Sequence, residues 1–155
     1  MSITGFSHVN IGIRDAEKCL PFYCDVLGMV VSLDDDDRHQ LSDRKYHRRA
    51  IYLRWQSGPK QSFIVLDLDH GRKESGAPPQ LAAIGINHFG LWVDDIAAIL
   101  DRARQGGYRI PHDDHPCAGR HYGYDAPDGE AFVRTAFLLD PEDNLVQLDQ
   151  WVKEG

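Results

Sequence analysis

The chain carries one pattern twice. Set "FSHVNIGIRDAEKCL" (residues 6–20) over "INHFGLWVDDIAAIL" (86–100). With a shift of 80, His8 falls on His88, Val9 on Phe89, Ile11 on Leu91, Ile13 on Val93 and Asp15 on Asp95. A repeat of this kind constrains architecture more than any local signal, because a half-size unit has too little surface to bury by itself. Each copy opens on an apolar/polar alternation, which is strand-like. Each then reaches an Asp suited to cap a helix and enters a helical stretch that stops near glycine, at Leu27-Gly28 and at Gly106-Gly107. Pro21, inside the first of these stretches, predicts a kink or a late start. Further strands are predicted at 29–33, 48–55 and 62–69, then at 107–111, 131–139 and 144–150. The last pair also repeats, "IVLD" (64–67) over "VQLD" (146–149), with a shift of 82. Each half therefore reads β-α-β-β-β. The expectation is an α+β chain, one domain over 1–155, made of module 5–69 and module 86–150 joined by the Gly- and Pro-rich stretch 70–85.

Strand side chains alternate between two faces. In the first strand Val9, Ile11 and Ile13 lie opposite Phe6, His8, Asn10 and Gly12; in its counterpart Phe89, Leu91 and Val93 lie opposite Ile86, His88, Gly90 and Trp92. Ile64, Leu66 and Leu68 lie opposite Phe63, Val65, Asp67 and Asp69, and Val146 and Leu148 opposite Leu145, Gln147 and Asp149. With the apolar faces packed on helices, the other faces carry two histidines, an amide and several carboxylates. Histidines at matched repeat positions point to a shared divalent metal, since imidazole nitrogen suits Fe, Mn, Zn, Ni or Co. The plainer alternative is two half-buried rings satisfied by backbone. In 48–55, Ala50, Tyr52 and Arg54 share one face and Arg49, Ile51, Leu53 and Trp55 the other; parity alone does not say which is inside.

Composition narrows the partners. Twenty-four acidic against 17 basic residues give a net charge of −7, with no basic stripe. That balance argues against nucleic acid and against anionic membrane surfaces. No apolar run approaches the ~20 residues of a membrane span. "MSITGFSHVN" has no secretory pattern, so the expected compartment is the cytoplasm. Cys19, Cys24 and Cys117 are too few and too scattered for a disulfide frame or a zinc ribbon.

At this point the residues resemble the vicinal oxygen chelate superfamily, which comprises glyoxalase I, bleomycin-resistance proteins and extradiol dioxygenases. "HVNIGIRDAEKCLPFYCDVLGM" is similar to its first-module pattern of HV, a capping Asp, FY and a terminal LGM. "INHFGLWVDD" and "DPEDNLVQL" resemble the second-module His strand and the closing DPxGN-type turn and strand. The likeness spans roughly residues 5 to 150. It implies that the modules pair into a U-shaped mixed sheet that cups one divalent metal per chain, and it implies a homodimer. Ligands in the family come from the first and last strand of each module, which carries over to His8, Val65, His88 and Gln147. Val65 has no donor atom, so the implied set is His8, His88 and Gln147, with Gln147 where the family usually has glutamate. A neutral amide stabilises a cation less than a carboxylate does, and it lacks the basicity to take a proton from carbon. Asp67 and Asp149 point the same way but lie about 6–7 Å further along their strands, too far for simple replacement. They are candidates for proton transfer or substrate contact.

In the loop "AGRHYGYDAPDGEAF" (118–132), His121 and Tyr122 are candidate acids and Tyr124 a candidate substrate contact. Phe6, Asn10, Val65 and Trp92 complete the expected substrate wall. "LDDDDRHQLSDRKYHRR" (33–49) reads as a solvated loop. His47, Arg49 and Arg54 stand within reach of an anionic ligand. "HDDHPC" (112–117) reads as a polar connection that leaves His112 and His115 unfixed. Three functions are open: a metalloenzyme of the glyoxalase or dioxygenase type acting on a small oxygenated molecule; a metal-free protein that sequesters a drug or metabolite, as in the bleomycin-resistance branch; and an interaction or regulatory domain, which no specific feature supports.

Overall fold

The structure is a computed structural model and describes residues 3–36, 48–70, 76–77, 82, 84–117 and 131–153. It divides into two compact units, Met1–Gly76 and Ala77–Gly155. Each holds one β-α-β-β-β module with a four-stranded mixed sheet, so the α+β class read from the repeat is correct.

In the first unit β1 (His8–Gly12) leads to α1 (Ala16–Pro21), a π-helical turn (Phe22–Val26), β2 (Val30–Asp36), β3 (Arg48–Arg54) and β4 (Phe63–Asp69), and the strand order is β1-β4-β3-β2. Asp15 caps α1 by accepting from the amides of Glu17 and Lys18 at 3.0 and 3.2 Å. The helix starts on time, so the late start is not found. The departure comes after Pro21: Leu27 N–H bonds to the carbonyl of Phe22 at 3.1 Å, a five-residue step. Proline has no N–H to give and crowds the carbonyl four residues back, which favours the wider turn.

β1 runs parallel to β4, from His8↔Phe63 to Gly12↔Asp67, and the pairing continues through Ile13 N–H to Asp67 O at 2.9 Å. Ile11, Ile13, Ile51, Leu53, Ile64 and Leu66 are buried with Cys19, Phe22, Tyr23 and Val26 of the helical segment. Arg49 of β3 shares the face of Ile51 and Leu53. It reaches Glu17 of α1 at 3.1 Å and Asp34 of β2 at 2.7 Å, which sets the helix over that face. Arg49 is therefore committed to protein carboxylates. Asp34 to Asp36 are strand residues rather than part of a solvated loop. Arg48, Ala50, Tyr52 and Arg54 take the opposite face.

The second unit runs β5 (Phe89–Trp92), α2 (Ile96–Gln105), β6 (His112–Cys117), β7 (Ala131–Leu139) and β8 (Leu145–Lys153), in the order β5-β8-β7-β6. Asp95 caps α2 through Ala98 N–H at 2.9 Å, and Gln150 Oε1 accepts from Ile96 N–H at 3.0 Å. Ile96, Ile99, Leu100 and Ala103 form the buried stripe expected of the helix. β5 is parallel to β8, and Val93 N–H bonds to Asp149 O at 2.8 Å, the counterpart of the Ile13–Asp67 bond.

The strand expected at 107–111 is displaced to His112–Cys117, the segment read as a loop. Residues 106–109 are used to close α2. Gly107 takes φ +73°, Tyr108 N–H returns to Ala103 O at 2.9 Å, and the Tyr108 ring would lie 2.6 Å from any Cβ on Gly106. Pairing of β6 with β7 then begins at His112↔Phe137 and crosses a bulge before His115↔Thr135.

Among the described residues no helix is long and apolar enough to cross a membrane. The turn before β8 hangs on Asp140, 2% exposed, whose carboxylate accepts from Glu142 N–H, Asn144 N–H and Asn144 Nδ2 at 2.9, 2.8 and 2.9 Å. Removing the acceptor strands three donors, so Asp140→Ala is expected to cost about 2–4 kcal/mol. Asp140→Asn, which keeps one acceptor, should cost less than half of that. Urea midpoints of the two variants check the ranking; equal midpoints would refute this account of the turn.

Candidate functional site

In each unit the sheet face away from the helix carries the histidine of the first strand and polar side chains of the last. Strand pairing orders that face into rows. In the first unit His8 pairs with Phe63, against which Arg54 lies, and Asn10, Val65 and Tyr52 form the next row. Gly12, Asp67 and Ala50 follow, and Asp69 pairs with Arg48. His8 is exposed; its ring stacks on Phe63 at 5.0 Å between centroids and 14° between planes. Its Nδ1 lies 3.1 Å from Ser7 Oγ. Val65 is 3% exposed. Asp67 accepts from Asn10 Nδ2 at 3.1 Å and from Arg48 Nη1 at 3.2 Å. A concavity of ≈ 270 Å³ opens here, lined by Asn10, Gly12, Arg48, Asp67 and Asp69.

In the second unit Gly90, Gln147, Phe137 and His112 form one row, and Trp92, Asp149, Thr135 and His115 the next. Gln147 and Asp149 are 9% and 8% exposed. Gln147 Nε2 donates to both oxygens of Asp149, at 2.8 and 3.1 Å, which turns its amide oxygen away from that carboxylate. Gly90 keeps room beside them, since a Cβ there would stand 3.4 Å from Asp149 Oδ2. Thr135, 3% exposed and directly across from Asp149, has a buried hydroxyl with no hydrogen-bond partner. His88 is exposed, and its Nδ1 donates to Asn87 Oδ1 at 2.6 Å. The rings of His88 and His112 both stand edge-on to Phe137, at 5.9 and 5.5 Å.

Taken unit by unit, the donors fit a metal only in part: the first sheet offers one imidazole, with no donor atom at Val65, and the second an imidazole and a neutral amide oxygen, types that suit Fe, Mn, Zn, Ni or Co better than Mg or Ca. Among the described residues no group of three or more His, Cys, Asp or Glu gathers as a metal cluster. Phe6 is 67% exposed, and Trp92, 62% exposed, meets Trp151 edge-on at 6.3 Å. His121, Tyr122 and Tyr124 lie outside the described residues, as does His47.

Sequence reasoning missed Arg48, Thr135 and Trp151 as members of these faces. It also dismissed His112 and His115. For Arg48 and Thr135 the missing information was register, which parity within one strand does not supply. Trp151 shares the parity of Gln147 and Asp149 and was visible by extending the last strand.

A family model described as the Glyoxalase/Bleomycin resistance protein/Dioxygenase superfamily matches residues 7–124. A probable lactoylglutathione lyase of Synechocystis is 27% identical over 144 residues, covering 92% of each chain. A catechol-2,3-dioxygenase of Bacillus subtilis is 26% identical over 152 residues, 92% of this chain and 47% of that protein. A probable chloroplastic lactoylglutathione lyase of Arabidopsis thaliana is 24% identical over 135 residues, and the alignment takes in 87% of this chain but only 32% of that protein's length. Among solved structures, a glyoxalase family protein from Bacillus cereus superposes with a TM-score of 0.70 at 13% identity, covering 98% of this chain and 97% of its own.

Gln147→Glu would set a second carboxylate against Asp149 where both positions are buried. Like charges raise the new group's pKa above its unfolded value. The penalty therefore grows as pH rises above about 4.3 and is absent below it. At pH 7 the variant is expected to lose about 1–3 kcal/mol. Chemical denaturation of variant and parent at pH 4 and pH 7 reads the difference; a pH-independent loss would refute the carboxylate contact.

Proposed function

The chain belongs to the Glyoxalase/Bleomycin resistance protein/Dioxygenase superfamily, and on that premise we propose that it is a divalent-metal-dependent enzyme acting on a small oxygenated molecule. The substrate's vicinal oxygens would occupy the coordination positions that the protein leaves open. The observation that carries this reading is the repeat-matched pair of histidines. Each is exposed on the chemistry-bearing face of its own sheet, and each has Nδ1 beside the side chain of the preceding residue. His8 and His88 would supply the imidazole nitrogens and Gln147 Oε1 a third donor, and the metal would act as a Lewis acid on the substrate oxygens.

The remaining roles follow from contacts. Gln147 is neutral and does not serve as a base. Asp149, buried between Gln147 and Thr135, is the better placed of the two carboxylates to exchange a proton with substrate. Asp67 is already held by Asn10 and the Arg48 guanidinium, so its role is to anchor them and, through them, substrate. Phe6, Asn10, Val65, Trp92 and Tyr124 line the substrate region in this reading, and His121 or Tyr122 supplies an acid. The same reading takes residues 1–155 as one domain, the protein as a cytoplasmic homodimer, and its partner as a small molecule rather than nucleic acid or membrane.

The second reading is a metal-free protein that sequesters a drug or metabolite. Two observations favour it: the apolar Val65 and neutral Gln147 at ligand-type positions, and the Trp92–Trp151 aromatic pair beside Asp149.

Metal content by mass spectrometry, on protein purified without chelator, decides between them. About one Fe, Mn, Zn, Ni or Co per chain is expected, falling below roughly a tenth of that in His8→Ala and in His88→Ala. Gln147→Glu should regain with metal the stability it loses without it, because the cation neutralises the facing carboxylates. A wild-type chain that stays below a tenth of an equivalent after metal addition sinks the enzyme reading and favours the binding protein.

A further inference from the structure

Phe63 on β4 stands between His8 on β1 and Arg54 on β3. The imidazole lies parallel to the phenyl ring at 5.0 Å, and the Arg54 guanidinium carbon sits 4.4 Å from the ring centre. β4 lies between β1 and β3, so the two groups reach Phe63 from the strands on either side of it. Tyr52, on the same face, meets Phe63 at 5.8 Å. The first unit thus holds a metal-type imidazole and a guanidinium against one aromatic ring.

Arg54 differs from the other arginines whose ion pairs are seen. Arg48 holds Asp67, Arg49 holds Asp34, Arg104 holds Asp113, Arg109 holds Asp143 and Arg134 holds Asp114. Among the described residues Arg54 has no carboxylate partner. It donates through Nη1 to the carbonyl of Gln61 at 3.2 Å and otherwise rests on the ring. A guanidinium has five N–H donors in a planar fork that matches a carboxylate. Contact with Phe63 restrains the guanidinium, and the bond to Gln61 uses one of its donors.

We propose that Arg54 anchors a carboxylate on the substrate, so that the enzyme's substrates are oxygenated carboxylic acids, chelated at one end beside His8 and held at the other by the Arg54–Phe63 pair. The inference rests on the metalloenzyme reading for the chelated end only. One guanidinium on a chain of net charge −7 favours a singly charged carboxylate over a doubly charged phosphate. Phe63 is the positioning residue: it orients both His8 and Arg54, and so sets the distance between the chelating and the anionic groups of the substrate.

The test is a ratio. The full chain, with and without added metal, is titrated by calorimetry with 3,4-dihydroxybenzoate and with catechol, which differ only in the carboxylate. Wild-type protein is expected to bind the acid about tenfold more tightly, the order of one charge-assisted, partly exposed hydrogen-bonded pair. In Arg54→Gln the ratio should fall to about one, and in Arg54→Lys, which keeps the charge and loses the fork, it should lie between. Thermal melts of both variants confirm folding; if the glutamine variant does not fold, the lysine variant carries the test. A wild-type ratio near one overturns the proposal, and so does a ratio that survives intact in the folded variants. If metal changes neither affinity while the ratio still depends on Arg54, the metalloenzyme reading fails and the carboxylate anchor stands.

Discussion

In both units the first strand bonds in parallel to the last, and this pairing decides which side chains can meet. β1 lies along β4 from His8↔Phe63 onward, and β5 along β8 from Phe89↔Val146 onward. A parallel neighbour cannot be supplied by a hairpin; it needs a crossover, which here is the capped helix after Asp15 and after Asp95. The helix thereby covers one face of each sheet with apolar contacts. The opposite face is left to hold the histidine of the first strand beside the polar residues of the last. Caps, crossovers and chemistry-bearing rows all follow from that one register.

The same scaffold has been filled differently in its two copies. The first unit sets basic and acidic side chains against each other: Arg48 against Asp67, Arg49 against Asp34 and Glu17, with Arg54 laid on Phe63. The Arg49 guanidinium gathers Asp34 and Glu17 around it, and Asp34 is held below the usual carboxylate range chiefly by that contact. The second unit instead buries an amide–carboxylate pair, Gln147 with Asp149, next to the unpartnered hydroxyl of Thr135. Buried polar groups cost stability unless they are satisfied.

The repeat was legible because alternation, an aspartate cap and a glycine stop are local properties, and each was written twice. His8, His88, Asp67, Gln147 and Asp149 were placed on their faces by parity, and the structure keeps those faces. The 107–111 segment was misread because residues 106–109 are taken up in closing the helix, with Tyr108 folding back over Gly106; of the two expectations for Pro21 only the late start fails. His112 and His115 were dismissed because "HDDHPC" has no strand signal of its own; β7 supplies the pairing that makes it one.

Sequence alone therefore determined the module plan, the helix caps and the parity of the first and last strands of each module, since these depend on neighbours a few residues apart. Only the tertiary structure decided that Arg54 meets Phe63 and His8, that Arg48 meets Asp67, and that Gln147 turns its amide nitrogen to Asp149 with Thr135 across the strand. Except for the Gln147–Asp149 bond, each of these contacts joins different strands. Register between strands is a cooperative choice of the whole sheet, which no single strand encodes.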